Sequence, residues 1–332
     1  MCSPSTKSKK TFVRAIDAAS YRRHAIHGEG RVWAETNCYT DLLVELLHGL
    51  GYEPSAMLAF TLAIGFEGDQ WTFFKPSLPD LYALYGLDVQ ELALWRPLHE
   101  HLVEQVQRGN PVLVEVDSFY LPDTAGTAYG TTHQKTTIGV NEIDVALKRL
   151  GYFHNAGYFE LHGDDFVNLL QLAGAPHERV LPPYAEFAKG DASKALRGGA
   201  LVEASLAQLR AHLARAPREN PFGGFRERFE QDLAWLMTAD LSRFHAYSFA
   251  TLRQYGACFE LAETYLRWLG GNGVEGLAPA ADELHAIAET AKALQFQLAR
   301  SMARRKPLEL ASIDTMGAAW ERAMTSLRAR FA

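Results

Sequence analysis

From about residue 185 onward, apolar residues recur at almost nothing but helical spacing, and this constrains the fold more than any other feature of the chain. Amphipathic helices can be drawn at roughly 200–215, 222–237, 243–269, 280–303 and 308–330. Each leaves one apolar stripe to be covered, and a helical bundle is the simplest way to cover all of them. The first half has another rhythm, in which short β-branched runs, turn signals and brief helical stretches alternate. The expected fold class is therefore α+β: a mixed N-terminal domain over 1–180, then an all-α helical domain over 181–332. The divide is put at the stiff, turn-rich connector Pro176 and Leu181-Pro182-Pro183-Tyr184.

With 332 residues and 48 % hydrophobic content, the chain can bury a large core and is long enough for two domains. Three cysteines, far apart and odd in number, do not make a disulfide framework and point to a reducing compartment. No apolar run follows the basic N-terminal residues, and no segment approaches the length of a membrane span, so a soluble cytoplasmic protein is expected. A net charge of −6 and a pI near 6.1 argue against a general nucleic-acid binder. Arg300, Arg304, Arg305, Lys306, Arg322, Arg328 and Arg330 read as a solvated helix face, with a docking surface for an acidic partner as the alternative.

Cys38 stands in Thr36-Asn37-Cys38-Tyr39-Thr40-Asp41, just before Leu42, Leu43, Leu46, Leu47 and Leu50. Those leucines have helix period, Thr36 and Asn37 are good cap types, and Gly49 or Gly51 can close the far end. Cys38 then lies in the first turn, where backbone N–H groups and the positive end of the helix dipole favour a thiolate. A buried cysteine acting as a small hydrophobe is the competing reading. Cys258, ahead of a helical apolar stripe, reads as core, and Cys2 sits in a polar terminus.

Residues 111–117 read as a strand ending on the carboxylate of Asp117. A turn-rich loop follows, and His133 heads a second strand over 135–140. A third strand from Leu147 to Phe153 completes an antiparallel hairpin. A turn centred near Asp144 sets His133 opposite Asn155, and a one-residue slip would bring His154 there instead. Gly163-Asp164-Asp165-Phe166 reads as a helix start with an aspartate cap.

A cysteine nucleophile needs a base and a group that fixes the base's tautomer. Cys38, His133 and Asn155 supply these in chain order, with Asp117 competing for the third role. Asn37 and Gln70 are candidate side-chain donors to an oxyanion beside the helix N–H groups. Glu67, Asp69 and Asp123 could hold a substrate amino group, and acidic surface loops are the bland alternative. A metal site from Asp117, His133 and His154 lacks close ligand spacing, and none is expected. In the aromatic-rich 244–268 segment, read chiefly as core, only His245 and Arg253 are candidates for substrate contact.

Asn37-Cys38-Tyr39-Thr40-Asp41, residues 66–75, Leu121-Pro122-Asp123-Thr124, residues 133–137 and Tyr152-Phe153-His154-Asn155-Ala156-Gly157 resemble an uncharacterised bacterial family, domain of unknown function 1839, over nearly the whole chain. More distantly, the order of a cysteine, a strand ending near Tyr-Leu-Pro and a histidine heading the next strand resembles the N-terminal domain of the butirosin-biosynthesis acyltransferase. That resemblance implies a papain-like fold, with a helix carrying Cys38 packed on an antiparallel sheet. It also implies a cysteine that takes an acyl group from a carrier-protein thioester and passes it to an amine. Cys38 would be the nucleophile, His133 the base, and Asn155 or Asp117 the orienting group. No cofactor is implied beyond the phosphopantetheine arm of a carrier protein as donor. The chain departs from the papain pattern upstream of the cysteine, where Val32 and Trp33 stand in the region of the usual glutamine. A papain-like peptidase or amidase using the same residues is one alternative, and a non-catalytic carrier-protein-binding module on a degenerate peptidase scaffold is the other.

Overall fold

Leu42, Leu43, Leu46, Leu47 and Leu50 follow the expected stripe, and each is at most 2 % exposed. The first four lie on helix α1 (Cys38–Gly49). Val44 and Glu45 are fully buried as well, so α1 is an internal helix and not a half-exposed one. The Glu45 carboxylate is satisfied there, taking the Tyr21 hydroxyl at 2.6 Å and the His24 N–H at 3.1 Å.

The computed structural model describes residues 12, 14–34, 36–172 and 183–331. The chain divides into two compact units. The first comprises Met1–His24, Asp41–Pro54 and Leu78–Arg197; the second comprises Ala25–Thr40, Ser55–Ser77 and Gly198–Ala332.

The first unit contains α2 (Leu78–Tyr85), β1 (Leu87–Glu91), α3 (Leu98–Gln107), β2 (Val112–Asp117), β3 (Lys135–Asp144), β4 (Arg149–His154), β5 (Gly157–His162), α4 (Gly163–Leu169) and β6 (Ala185–Gly190). The strands form one antiparallel sheet in the order β1-β6-β2-β3-β4-β5. One face carries Val112, Val114, Val116, Ile138, Val140, Leu150 and Tyr152, in one apolar cluster with Leu102 of α3 and Phe166 of α4. On the other face α1 approaches closely because small residues admit it. A Cβ at Gly139 would lie 3.3 Å from Leu42, and one at Gly49 would lie 2.8 Å from the Phe153 ring.

Three expectations are corrected. β6 pairs with both β1 and β2, so a boundary at residue 180 would cut a strand from the sheet. The β3–β4 turn spans 145–148, because Asp144 pairs with Arg149, and a bulge between Val140 and Glu142 shifts the register again. At α4 the cap position is His162, without a side-chain hydrogen bond, so neither Asp164 nor Asp165 caps it. Pro176, Leu181 and Pro182 of the expected connector, and Cys2, lie outside the described residues.

The second unit is helical: α5 (Gly198–Arg215), α6 (Pro221–Leu236), α7 (Leu241–Ser248), α8 (Gln254–Gly271), α9 (Ala278–Arg304) and α10 (Ala311–Phe331). The expected helix over 243–269 is two helices joined by a π turn at Phe249–Arg253. Trp71 packs its ring against Phe222, Phe225, Tyr255 and Phe259, so the dense aromatics are core. No helix among the described residues is long and apolar enough to cross a membrane.

Within this unit, the segment leading to Cys38 is pinned by one carboxylate. Glu260 accepts the N–H groups of Val32 and Trp33 at 2.8 and 2.9 Å and lies 3.4 Å from Nε of Arg31. The Trp33 indole N–H donates to the carbonyl of Ala288, and its ring presses on Gly256, where a Cβ would sit 2.6 Å away. Glycine to alanine in a helix ordinarily gains about 1 kcal/mol. Here overpacking costs about 1–3 kcal/mol, because Trp33 is held on two sides and cannot retreat. Gly256→Ala is therefore expected to lower stability, read as a lower urea midpoint.

Candidate functional site

β2 and β3 pair so that Asp117 lies opposite Lys135. Ser118 extends the pairing, with both its N–H and its hydroxyl donating to the carbonyl of Gln134 at 2.9 Å. This brings His133 back beside the end of β2, where its Nδ1 lies 2.6 Å from Oδ2 of Asp117. The other oxygen of Asp117 accepts the N–H of Phe119 at 3.0 Å and that of Gln134 at 3.3 Å. Phe119 stacks on the imidazole at 4.3 Å between centroids and 10° between planes. The stack and the carboxylate together fix the plane of a ring whose side chain is 69 % exposed.

Burial works against the charge on Asp117, but the hydrogen bonds from His133, Phe119 and Gln134 outweigh it and hold the carboxyl below its ordinary range. An ionised Asp117 keeps the Nδ1 proton on the histidine. Nε2, which has no hydrogen-bond partner among the described residues, is then left as the acceptor that a general base needs.

Asn155 does not occupy this place. Gly139 pairs with Phe153, so two steps along the strands set Asn155 level with Thr137 and well away from His133. It lies in the two-residue turn between β4 and β5 at φ 43°, a left-handed conformation that asparagine tolerates better than most residues. Of the two residues considered for orienting the histidine, Asp117 is the one bonded to it.

Asp123 and His154 meet each other in the interior, with the carboxylate 3 % and the imidazole 1 % exposed. Oδ2 of Asp123 lies 2.5 Å from Nδ1 of His154, and Oδ1 accepts the Tyr152 hydroxyl at 2.5 Å. Nε2 of His154 is 2.8 Å from Oγ1 of Thr136. Burial and the Asp123 charge push the Tyr152 hydroxyl far up, so it stays protonated and donates. Asp123 thus has both oxygens occupied and is no holder of a substrate amine, and His154 faces protein. The sequence carried one signal of this network, an aspartate and a histidine each set among apolar residues, in Leu121-Pro122-Asp123 and Tyr152-Phe153-His154.

In the second unit, Cys38 is the first residue of α1, and its side chain is partly exposed. Asn37 is the cap: its Oδ1 accepts the N–H of Thr40 at 2.9 Å, and its amide donates to the carbonyl of Phe74 at 2.9 Å. Its side chain is therefore committed to structure on both ends and is not free to act as a side-chain oxyanion donor. Glu67, Asp69 and Gln70 stand exposed in the loop closed by the Phe66–Trp71 bridge. His245 is exposed on α7, and Arg253 stacks on Phe249 at 4.6 Å. Cys258 is fully buried, its thiol pushed well up by burial, and packs as core. Among the described residues no group of three or more histidines, cysteines and carboxylates could hold a metal ion.

The DUF1839 N-terminal domain matches residues 22–190, and the DUF1839 C-terminal domain matches residues 198–329. The break between them falls just after β6, where the sheet ends. No curated protein matches the chain. Matched in order over nearly all of its length, the chain belongs to the DUF1839 family.

Proposed function

We propose that the protein is a cysteine-dependent acyltransferase with a papain-like arrangement in its N-terminal part, moving an acyl or aminoacyl group from a thioester donor to an amine. Cys38 is assigned the nucleophile, His133 the base, and Asp117 the group that orients the base. The observation that carries this reading is the 2.6 Å contact between Asp117 and Nδ1 of His133, which leaves Nε2 as a solvent-facing acceptor. Cys38 at the first residue of α1 adds a partly exposed thiol at a helix N-terminus, where backbone N–H groups can bind the oxyanion of a tetrahedral intermediate.

In the proposed cycle, Cys38 gives its proton to His133, the thiolate attacks the thioester carbonyl, and the donor thiol leaves with that proton. The amine then attacks the enzyme thioester, gives its proton to His133 and releases Cys38. Exchange between thioesters is nearly balanced in energy, and amide formation from a thioester runs downhill. The donor is the phosphopantetheine thioester of a carrier protein, and the compartment is the cytoplasm.

Water reaching the exposed imidazole would make the same residues a hydrolase, so the test separates the two. Intact mass is measured after incubation with an activated acyl thioester such as an acyl N-acetylcysteamine, for wild type beside Cys38→Ser. The expected result is one acyl group added to wild type and none to the variant, with faster turnover when amines are supplied. Loss of the adduct at one rate with and without amines identifies hydrolysis. No adduct on Cys38 leaves a non-catalytic binding module as the reading.

A further inference from the structure

Trp95 is 81 % exposed, the most exposed of the large hydrophobic side chains described, and it stands at the mouth of a cavity of about 550 Å³ within the first unit. Arg96, His101, Arg108, Phe187 and Lys189 line the cavity with it. The walls come from the segment ahead of α3, from α3 itself with Arg108 at its C-cap, and from β6, where Phe187 and Lys189 are two residues apart and so share a face. His101 braces the wall, its Nε2 accepting the N–H groups of Trp95 and Arg96 at 3.3 and 3.4 Å.

The cations here are not equally engaged. Arg108 is taken by Glu104, with a hydrogen bond of 2.6 Å. The Arg96 guanidinium makes no hydrogen bond among the described residues; its Nε is buried without a partner, and its nearest carboxylate, Glu100, is 3.8 Å away. It lies over Trp95 at 5.4 Å. Lys189 lies over Phe187 at 5.1 Å, donates to Gln90 and reaches Asp88 only at 3.9 Å.

We propose that this cavity binds a small aromatic anion, a carboxylate or phosphate monoester carrying a flat ring. Arg96 and Lys189 take the charged group, and Trp95 and Phe187 take the ring. A guanidinium with unused donors selects an acceptor that can receive two parallel hydrogen bonds, which carboxylates and phosphates both do. A bare inorganic anion would leave the indole in water, and a neutral ring would leave Arg96 without a partner. Glu104 in the cavity wall, with Glu100 beside Arg96 and Asp88 beside Lys189, disfavours an extended polyanion. The volume suits one such molecule, since small-ligand sites run from about 300 to 1,000 Å³.

Calorimetric titration of the full chain with 1-naphthoate and 1-naphthyl phosphate tests this, with inorganic phosphate and 1-naphthalenemethanol as the charge-only and ring-only probes. The expected result is one site per chain, with at least one aromatic anion binding about tenfold or more tighter than either partial probe. Whichever anion binds tighter identifies the charged group. Trp95→Ala and Arg96→Gln should each weaken binding by about tenfold at an unchanged thermal midpoint. Trp95 is mostly in solvent, so its variant decides the matter should Arg96→Gln fail to fold. No binding of either aromatic anion, inorganic phosphate binding as tightly as naphthyl phosphate, or wild-type affinity in Trp95→Ala would overturn the proposal.

Discussion

His133→Ala is expected to slow acylation of Cys38 by about 10²- to 10⁴-fold, the range that a positioned general base contributes. Stopped-flow release of a chromogenic thiol from an activated thioester measures it. Asp117→Asn should cost less, because the ring keeps its stack on Phe119 while losing the carboxylate that fixes its tautomer. Asn155→Gly, which keeps the left-handed turn open, should leave the rate at the wild-type level. A slow Asn155→Gly beside a fast Asp117→Asn would reverse the assignment of the orienting group. The pH dependence follows from the lowered carboxyl of Asp117, whose ordinary value is 3.8. A lowered carboxyl contributes fully above that ordinary value, and its contribution is lost as pH falls below it. The ratio of the wild-type rate to the Asp117→Asn rate is therefore expected to hold down to that value and to narrow only below it.

The largest effect on stability is expected from Asp123→Ala. The change strands the Tyr152 hydroxyl and Nδ1 of His154, both in residues at most 1 % exposed. Each buried polar group left unsatisfied costs about 1–3 kcal/mol, so stranding two costs about 2–6 kcal/mol, against a total stability of about 5–15 kcal/mol for a domain. Urea unfolding should show a much lower midpoint with an unchanged slope. Asp123→Asn keeps an acceptor for one partner and should fall between the alanine variant and wild type. A loss below about 1 kcal/mol in Asp123→Ala would mean that the network is not what ties the loop after β2 to the sheet.

Helix periods were legible throughout the second half, because each stripe is a local pattern that any compact fold must bury. The expected ends at 215, 237 and 303 fall within a residue of Arg215, Leu236 and Arg304. The π turn at Phe249–Arg253 was not legible, since it inserts within an unbroken apolar stripe. The strands around Asp117 and His133 could be read from β-branched runs and turn residues. Their register could not, because the bulge after Val140 and the longer turn at 145–148 leave no mark in the alternation.

The residue types needed for thiol chemistry, the helix that begins at Cys38 and the helical character of everything past β6 were determined by the sequence alone, since capping and periodicity act over a few residues. Tertiary structure decided which carboxylate serves which histidine. Asp117 ends β2 and Asp123 follows it closely in sequence, yet one reaches an exposed imidazole and the other a buried one. Strand pairing sets that outcome across 16 residues in the first case and 31 in the second, and no local preference extends so far.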